Sequence, residues 1–281
     1  MKLIEIGIIL IILLLITGAV LTFSEDMTGK VTKTQESKHF ETLTSEIVDN
    51  LINNPGEPEN WEEYEKGTPG LAIVNENGEV IPNSVSYFKF MALSNNYKKM
   101  VYEKLFGSRL KSSMELIPLE SSISSVKIGD EISSDDIYSV NRLVKCDFYK
   151  KYVLKDFQNP GKCNHNHDQK SDSCNYFKIF KGNLKKSDYY LLIGDEDLNY
   201  FIDTTQENTG ENWQVPYSKT VYLNDIIDFS YDDTSEVVFV HLDKPQARAV
   251  IVSLPKNFDK NHLNYDYFRT NECEFILRAG F

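Results

Sequence analysis

The stretch from Ile6 to Phe23 constrains this chain more than any other part: 18 consecutive residues carry no charge, and only Gly7, Thr17, Gly18 and Thr22 dilute the apolar side chains. As a helix it would measure roughly 27 Å at about 1.5 Å per residue, close to the roughly 30 Å hydrocarbon core of a bilayer. A cleaved secretory signal has a shorter apolar part and ends on small residues of A-x-A type. Ala19-Val20-Leu21 does not supply that ending, so the segment reads as a retained anchor. Lys2 and Glu5 cancel within residues 1–24, which leaves the whole formal charge of -12 on residues 25–281. The expected organisation is a transmembrane anchor at 1–24, an amphipathic helical extension at 25–54 and a single extracytoplasmic α+β domain at 55–281. The expected localisation is the cell membrane, single-pass, with the soluble domain outside. Charge does not fix that orientation, because Lys2 and the amino terminus face Lys30, Lys33 and Lys38 across the segment.

Beyond the apolar stretch, Phe40, Leu43, Ile47, Val48 and Leu51 recur at three- and four-residue spacing and define one apolar stripe on a helix. Asn53-Asn54-Pro55-Gly56 ends it, since proline lacks the amide hydrogen a helix needs. Gly70–Val74 and Glu79–Pro82 read as short strands around the Asn77-Gly78 turn, and two short helices follow, Ser84–Leu93 and Ser94–Gly107. From Ser113 onward strand patterns dominate: Met114–Leu119, Ile123–Ile128, Val140–Leu154, Tyr176–Phe180, Tyr189–Ile193, Tyr200–Ile202, Val221–Leu223, Val237–Leu242, Ala249–Leu254 and Cys273–Leu277. Helices first and strands afterwards indicate α+β: an N-terminal transmembrane helix continuing into an amphipathic one, packed on a large antiparallel β-rich domain with two short helices. The acidic charge excludes a nucleic-acid partner, which needs a basic face.

The run Pro55-Gly56-Glu57-Pro58-Glu59-Asn60-Trp61, then Gly70-Leu71-Ala72, then a helix ending Lys104-Leu105-Phe106-Gly107, resembles the N-terminal half of archaeal type IV pilin-like surface proteins, those with a class III signal peptide. The likeness covers roughly the first 120 residues. It implies an N-terminal helix held in a membrane or a filament core, with Gly56, Pro58, Trp61, Gly70, Leu71 and Ala72 as fold-defining positions. The residues by themselves also read as a helix stop, a turn and a core aromatic whose indole N–H finds a backbone acceptor. Glu5 stands where a processed pilin carries the carboxylate that meets a neighbouring subunit's amino terminus. Either a basic leader is encoded upstream of Met1, or Glu5 is an interfacial residue reaching into water.

Chemistry-bearing clusters are few. Cys163-Asn164-His165-Asn166-His167, followed by Cys174, admits a Cys163–Cys174 disulfide, with Cys146 and Cys273 as the second pair. The alternative is a metal held by Cys163, His165, His167 and Cys174. Asp195, Asp197 and Asn199 match the start of a calcium loop, but Tyr200 stands where that loop needs glycine and Gln206 where it needs glutamate, so an EF-hand is rejected. His39, His241 and His262 are isolated in sequence. Ser108-x-x-Lys111 and Ser124-x-x-Lys127 lack the companion motifs of Ser/Lys acyltransferases. No catalytic residue and no cofactor is assigned. The expected function is that of a membrane-anchored pilin-like surface protein, structural or adhesive, whose partners are membrane lipid and either copies of itself or other pilin-like subunits. The rival is a single-pass surface binding domain that takes a metal or a glycan through the Cys163–Cys174 loop and the aromatic-rich sheet.

Overall fold

The computed structural model describes residues 2–120, 122–133, 137–161, 173–204, 213–227, 229 and 234–281. Helix α1 runs unbroken from Lys2 to Asn53. Its last four turns are amphipathic as the spacing requires: Thr44, Ile47, Val48, Leu51 and Ile52 are buried, and Phe40 and Leu43 pack beside them. Among the described residues no helix is long and apolar enough to cross a membrane. The expected transmembrane anchor is thereby overturned, and with it the single-pass membrane localisation that depended on it.

Strands β1 (Ala72–Val74) and β2 (Val80–Val85) follow a four-residue helix α2 (Trp61–Tyr64), and helix α3 (Tyr87–Asn95) leads into a π-helical turn at Lys98–Glu103. Strands β3 (Lys111–Pro118), β4 (Val126–Gly129) and β5 (Ile137–Cys146) come next, and the last strand, β13 (Asn271–Gly280), returns to join them. Together they form a six-stranded sheet in the order β1-β2-β5-β13-β3-β4. The expectation of an antiparallel sheet holds except at β2 and β5, which pair in parallel with Ser84 opposite Lys145. One face carries Val85, Met114, Leu116, Val144, Phe275 and Leu277 against α1, α3 and the π-turn. Arg142 on β5 clamps the helix, donating from Nε to Asp49 at 2.9 Å and from a terminal nitrogen to Ser45 at 3.0 Å.

The described strands between β5 and β13 form a second layered unit. The four-stranded sheet has the order β10-β8-β12-β6, with β6 Val153–Asp156, β8 Ser187–Ile193, β10 Thr220–Tyr222 and β12 Ala249–Pro255. It faces a three-stranded sheet β7-β11-β9, with β7 Ser173–Phe180, β9 Tyr200–Thr204 and β11 Ser235–Leu242. Phe177, Ile179, Leu191, Ile193, Val238, Val240 and Ile251 fill the space between. The other face of the four-stranded sheet buries Tyr190, Leu192, Val250 and Val252 under Tyr265 and Phe268. Burial on both faces explains why Tyr189–Ile193 and Ala249–Val252 are continuous apolar runs instead of alternating ones.

Two further expectations are corrected. The apolar pattern Val140–Leu154 reads as one strand but breaks into β5 and β6 in different sheets. Phe148 adopts φ +38°, and Lys150–Tyr152 forms a single 3-10 turn. Asp147 anchors that break by accepting from the Tyr87 amide at 2.8 Å. The expected Cys146–Cys273 disulfide is overturned as well, since both are free thiols. Cys146 lies opposite Asn271 and Cys273 opposite Val144. The two thiols are thus diagonal across β5 and β13, where Cα separations of about 7–8 Å exceed disulfide reach. Both thiols are buried, and burial followed by the neighbouring Cys273 thiol pushes the Cys146 pKa well up. Cys163 lies outside the described residues.

Candidate functional site

The residues quoted for the family resemblance converge on the joint where α1 meets the body. The helix ends with carbonyls that have no partner further along its own ladder, and the following chain supplies them. The amide of Leu71 donates to Leu51 O at 2.8 Å, and that of Ala72 to Asn54 O at 3.1 Å. Lys89, buried on α3, donates to Pro55 O at 2.7 Å. Burial lowers its pKa, opposed by the carboxylates of Glu62, Glu59 and Asp147.

Trp61 is fully buried in this joint, and its indole nitrogen donates to Gly70 O at 2.9 Å. Gly56 has φ +92°, and a Cβ there would come within 3.0 Å of the Trp61 ring. At Gly70 a Cβ would meet the backbone of Asn54 and Gly56 at under 3.0 Å, and backbone cannot step aside as a flexible side chain can. Pro58, after a cis peptide bond, accepts from the Trp61 amide at 3.0 Å. Leu71 and Ala72 are buried beneath. The arrangement holds the helix at a fixed angle to the sheet. Glu5 falls on α1, with its side chain outside the described part.

A second cluster lies on the three-stranded sheet. Sequence reading leaves His241 isolated, but β11 sets it opposite Cys174 on β7 and opposite Phe201 on β9. His241 Nε2 is 3.3 Å from Asp203 Oδ2, and its ring stacks on Phe201 with centroids 4.1 Å apart and planes 5° from parallel. A thiol, an imidazole and a carboxylate in this order resemble a nucleophile, base and orienting group. Cys174, His241 and Asp203 are all buried. Only the pairing register reveals this cluster, because its members stand 29 and 38 positions from Asp203 along the chain.

Among the described residues, no three His, Cys, Asp or Glu side chains come together to hold a metal ion. Of the four ligands considered from sequence, Cys163, His165 and His167 lie outside the described residues. The acidic turn at Asp195 is used internally: Asp195 accepts from the Arg248 amide at 2.9 Å, and Asn199 donates to Asp243. His262 stacks beside Tyr149 and lies 3.1 Å from its hydroxyl. No family model, curated protein or solved structure matches the chain.

Proposed function

We propose that this chain is a structural or adhesive protein, without catalytic function, that associates with copies of itself through the N-terminal part of α1. The observation that carries the reading is the exposure of Leu14, Leu15, Val20 and Leu21, at 63%, 69%, 61% and 64%. At about 100° per residue these four side chains point in at least three directions around the helix. A helix apolar on all sides is stable in water only when other elements surround it. Among the described residues the body packs on α1 from Phe40 onward, which leaves those faces to other molecules. Because the apolar side chains point several ways, a single partner helix covers only some of them, and a bundle of three or more is favoured. The resemblance to archaeal type IV pilin-like proteins supports the same division between an assembling helix and a displayed body, and the tight joint at Trp61 suits a subunit whose helix must hold a fixed angle. Sedimentation velocity on the full chain tests this. Concentration-dependent oligomers that become monomers when Leu14, Leu15, Val20 and Leu21 are changed to Gln support the reading, and a monomeric wild-type chain refutes it.

A further inference from the structure

The three-stranded sheet turns one face into the sandwich core and the other outward, and the outward face changes character along its length. At one end are the buried His241, Phe201 and Asp203. At the other, Tyr176 and Phe180 on β7 are 58% and 50% exposed. Phe239 on β11 lies opposite Tyr176 with ring centroids 5.6 Å apart, and Val237 lies opposite Lys178. Two cations sit over these rings. Lys155 Nζ is 5.4 Å from the Tyr176 centroid, and Lys178 Nζ is 5.3 Å from that of Phe180. From Tyr176 to Phe180 the strip measures roughly 14 Å at about 3.4 Å per residue.

We infer that this strip is a docking surface for an acidic polysaccharide, one with uronic-acid units. Exposed aromatic rings spaced along a strand match the flat apolar faces of successive sugar rings. The lysines above them supply charge complementary to a carboxylate, on a chain whose formal charge is -12. A phosphate backbone carries charge at far higher density and draws on many cations; two lysines on an acidic protein do not meet that demand. The inference names a ligand for the adhesive half of the reading above and rests on that half, while using no residue of α1.

The test is binding of the full chain to polygalacturonate, with neutral dextran and a single-stranded oligothymidylate as parallel probes, by isothermal titration calorimetry. The same titration with the Leu14, Leu15, Val20 and Leu21→Gln variant separates docking from self-association, because docking survives in that variant whatever its oligomeric state. Expected are salt-sensitive binding of polygalacturonate alone, a fivefold or greater weakening in Tyr176→Ala and in Lys178→Ala, and no change in Lys99→Ala on the other part of the body. Circular dichroism identical to wild type confirms that these surface variants fold. Absence of polygalacturonate binding, equal binding of dextran, preference for the oligonucleotide, or insensitivity to both strip substitutions would overturn the inference.

Discussion

Asp147 offers a test in which magnitude and sign both follow from the structure. It sits where the chain leaves the six-stranded sheet for the sandwich, next to the buried Cys146, and accepts the Tyr87 amide at 2.8 Å. Burial raises its pKa from 3.8 to about 6, against the pull of that hydrogen bond and of Lys150 and Lys151. The folded state therefore holds its proton more tightly than the unfolded chain does, and stability falls as pH rises between those two values. A shift of roughly two units at about 1.36 kcal/mol each makes the ionised carboxylate cost about 3 kcal/mol at pH 7. Asp147→Asn keeps the acceptor for Tyr87 and removes the charge. Its new amide hydrogens lack a dedicated partner, which costs about 1 kcal/mol, so the expected net gain is about 2 kcal/mol at pH 7. Urea titrations at pH 4, 5, 6 and 7 read the difference directly. The variant should gain on wild type with each step above pH 4, and the two should converge toward a constant offset below it. A variant less stable than wild type at pH 7, or a difference that does not change with pH, would refute the reasoning.

Three other perturbations probe the joints. Gly70→Ala should be more damaging than Trp61→Phe: the first forces backbone apart, whereas the second removes part of the ring and one hydrogen bond, at about 1–3 kcal/mol in thermal or chemical unfolding. Asp266 accepts from the Ser122 amide and hydroxyl and from Arg269 Nε at 2.9–3.0 Å. Burial would raise its pKa, but the Ser122 hydrogen bonds and Arg269 outweigh it and hold the carboxyl below its usual value. Its stabilisation is then complete above about pH 4 and is lost as pH falls through the lower folded value; Asp266→Ala should cost about 2–4 kcal/mol at pH 7 and flatten the acid limb of the unfolding curve. Arg142→Ala should cost at most about 1 kcal/mol by the same assay, because both partners of its ion pair are more than a third exposed.

Local chemistry made much of this fold legible. The stripe from Phe40 to Leu51, the stop at Pro55-Gly56 and most strands follow from periodicity and turn residues, and the indole of Trp61 found the backbone acceptor its burial demanded. Sequence could not show which strands meet. β13 inserts between β5 and β3, more than 120 positions earlier in the chain, and nothing local marks that pairing. The same blindness hid His241 beside Cys174 and Asp203, and it made Cys146 and Cys273 look like a bridge when they are diagonal neighbours. Val140–Leu154 misled for a different reason: its apolar pattern continues through a chain reversal fixed by Asp147, a contact made 60 residues away with Tyr87. The anchor read from Ile6–Phe23 is set aside because, among the described residues, no helix is long and apolar enough to cross a membrane.

The central claim is that the N-terminal part of α1 is covered by other copies of this chain. A photoreactive benzophenone side chain placed at Leu21, compared with one at the exposed Glu103 of the body, tests it on the intact protein. Illumination at micromolar concentration should give covalent dimers and higher species from position 21 and only monomer from position 103. Equal or absent cross-linking at the two positions would contradict the account.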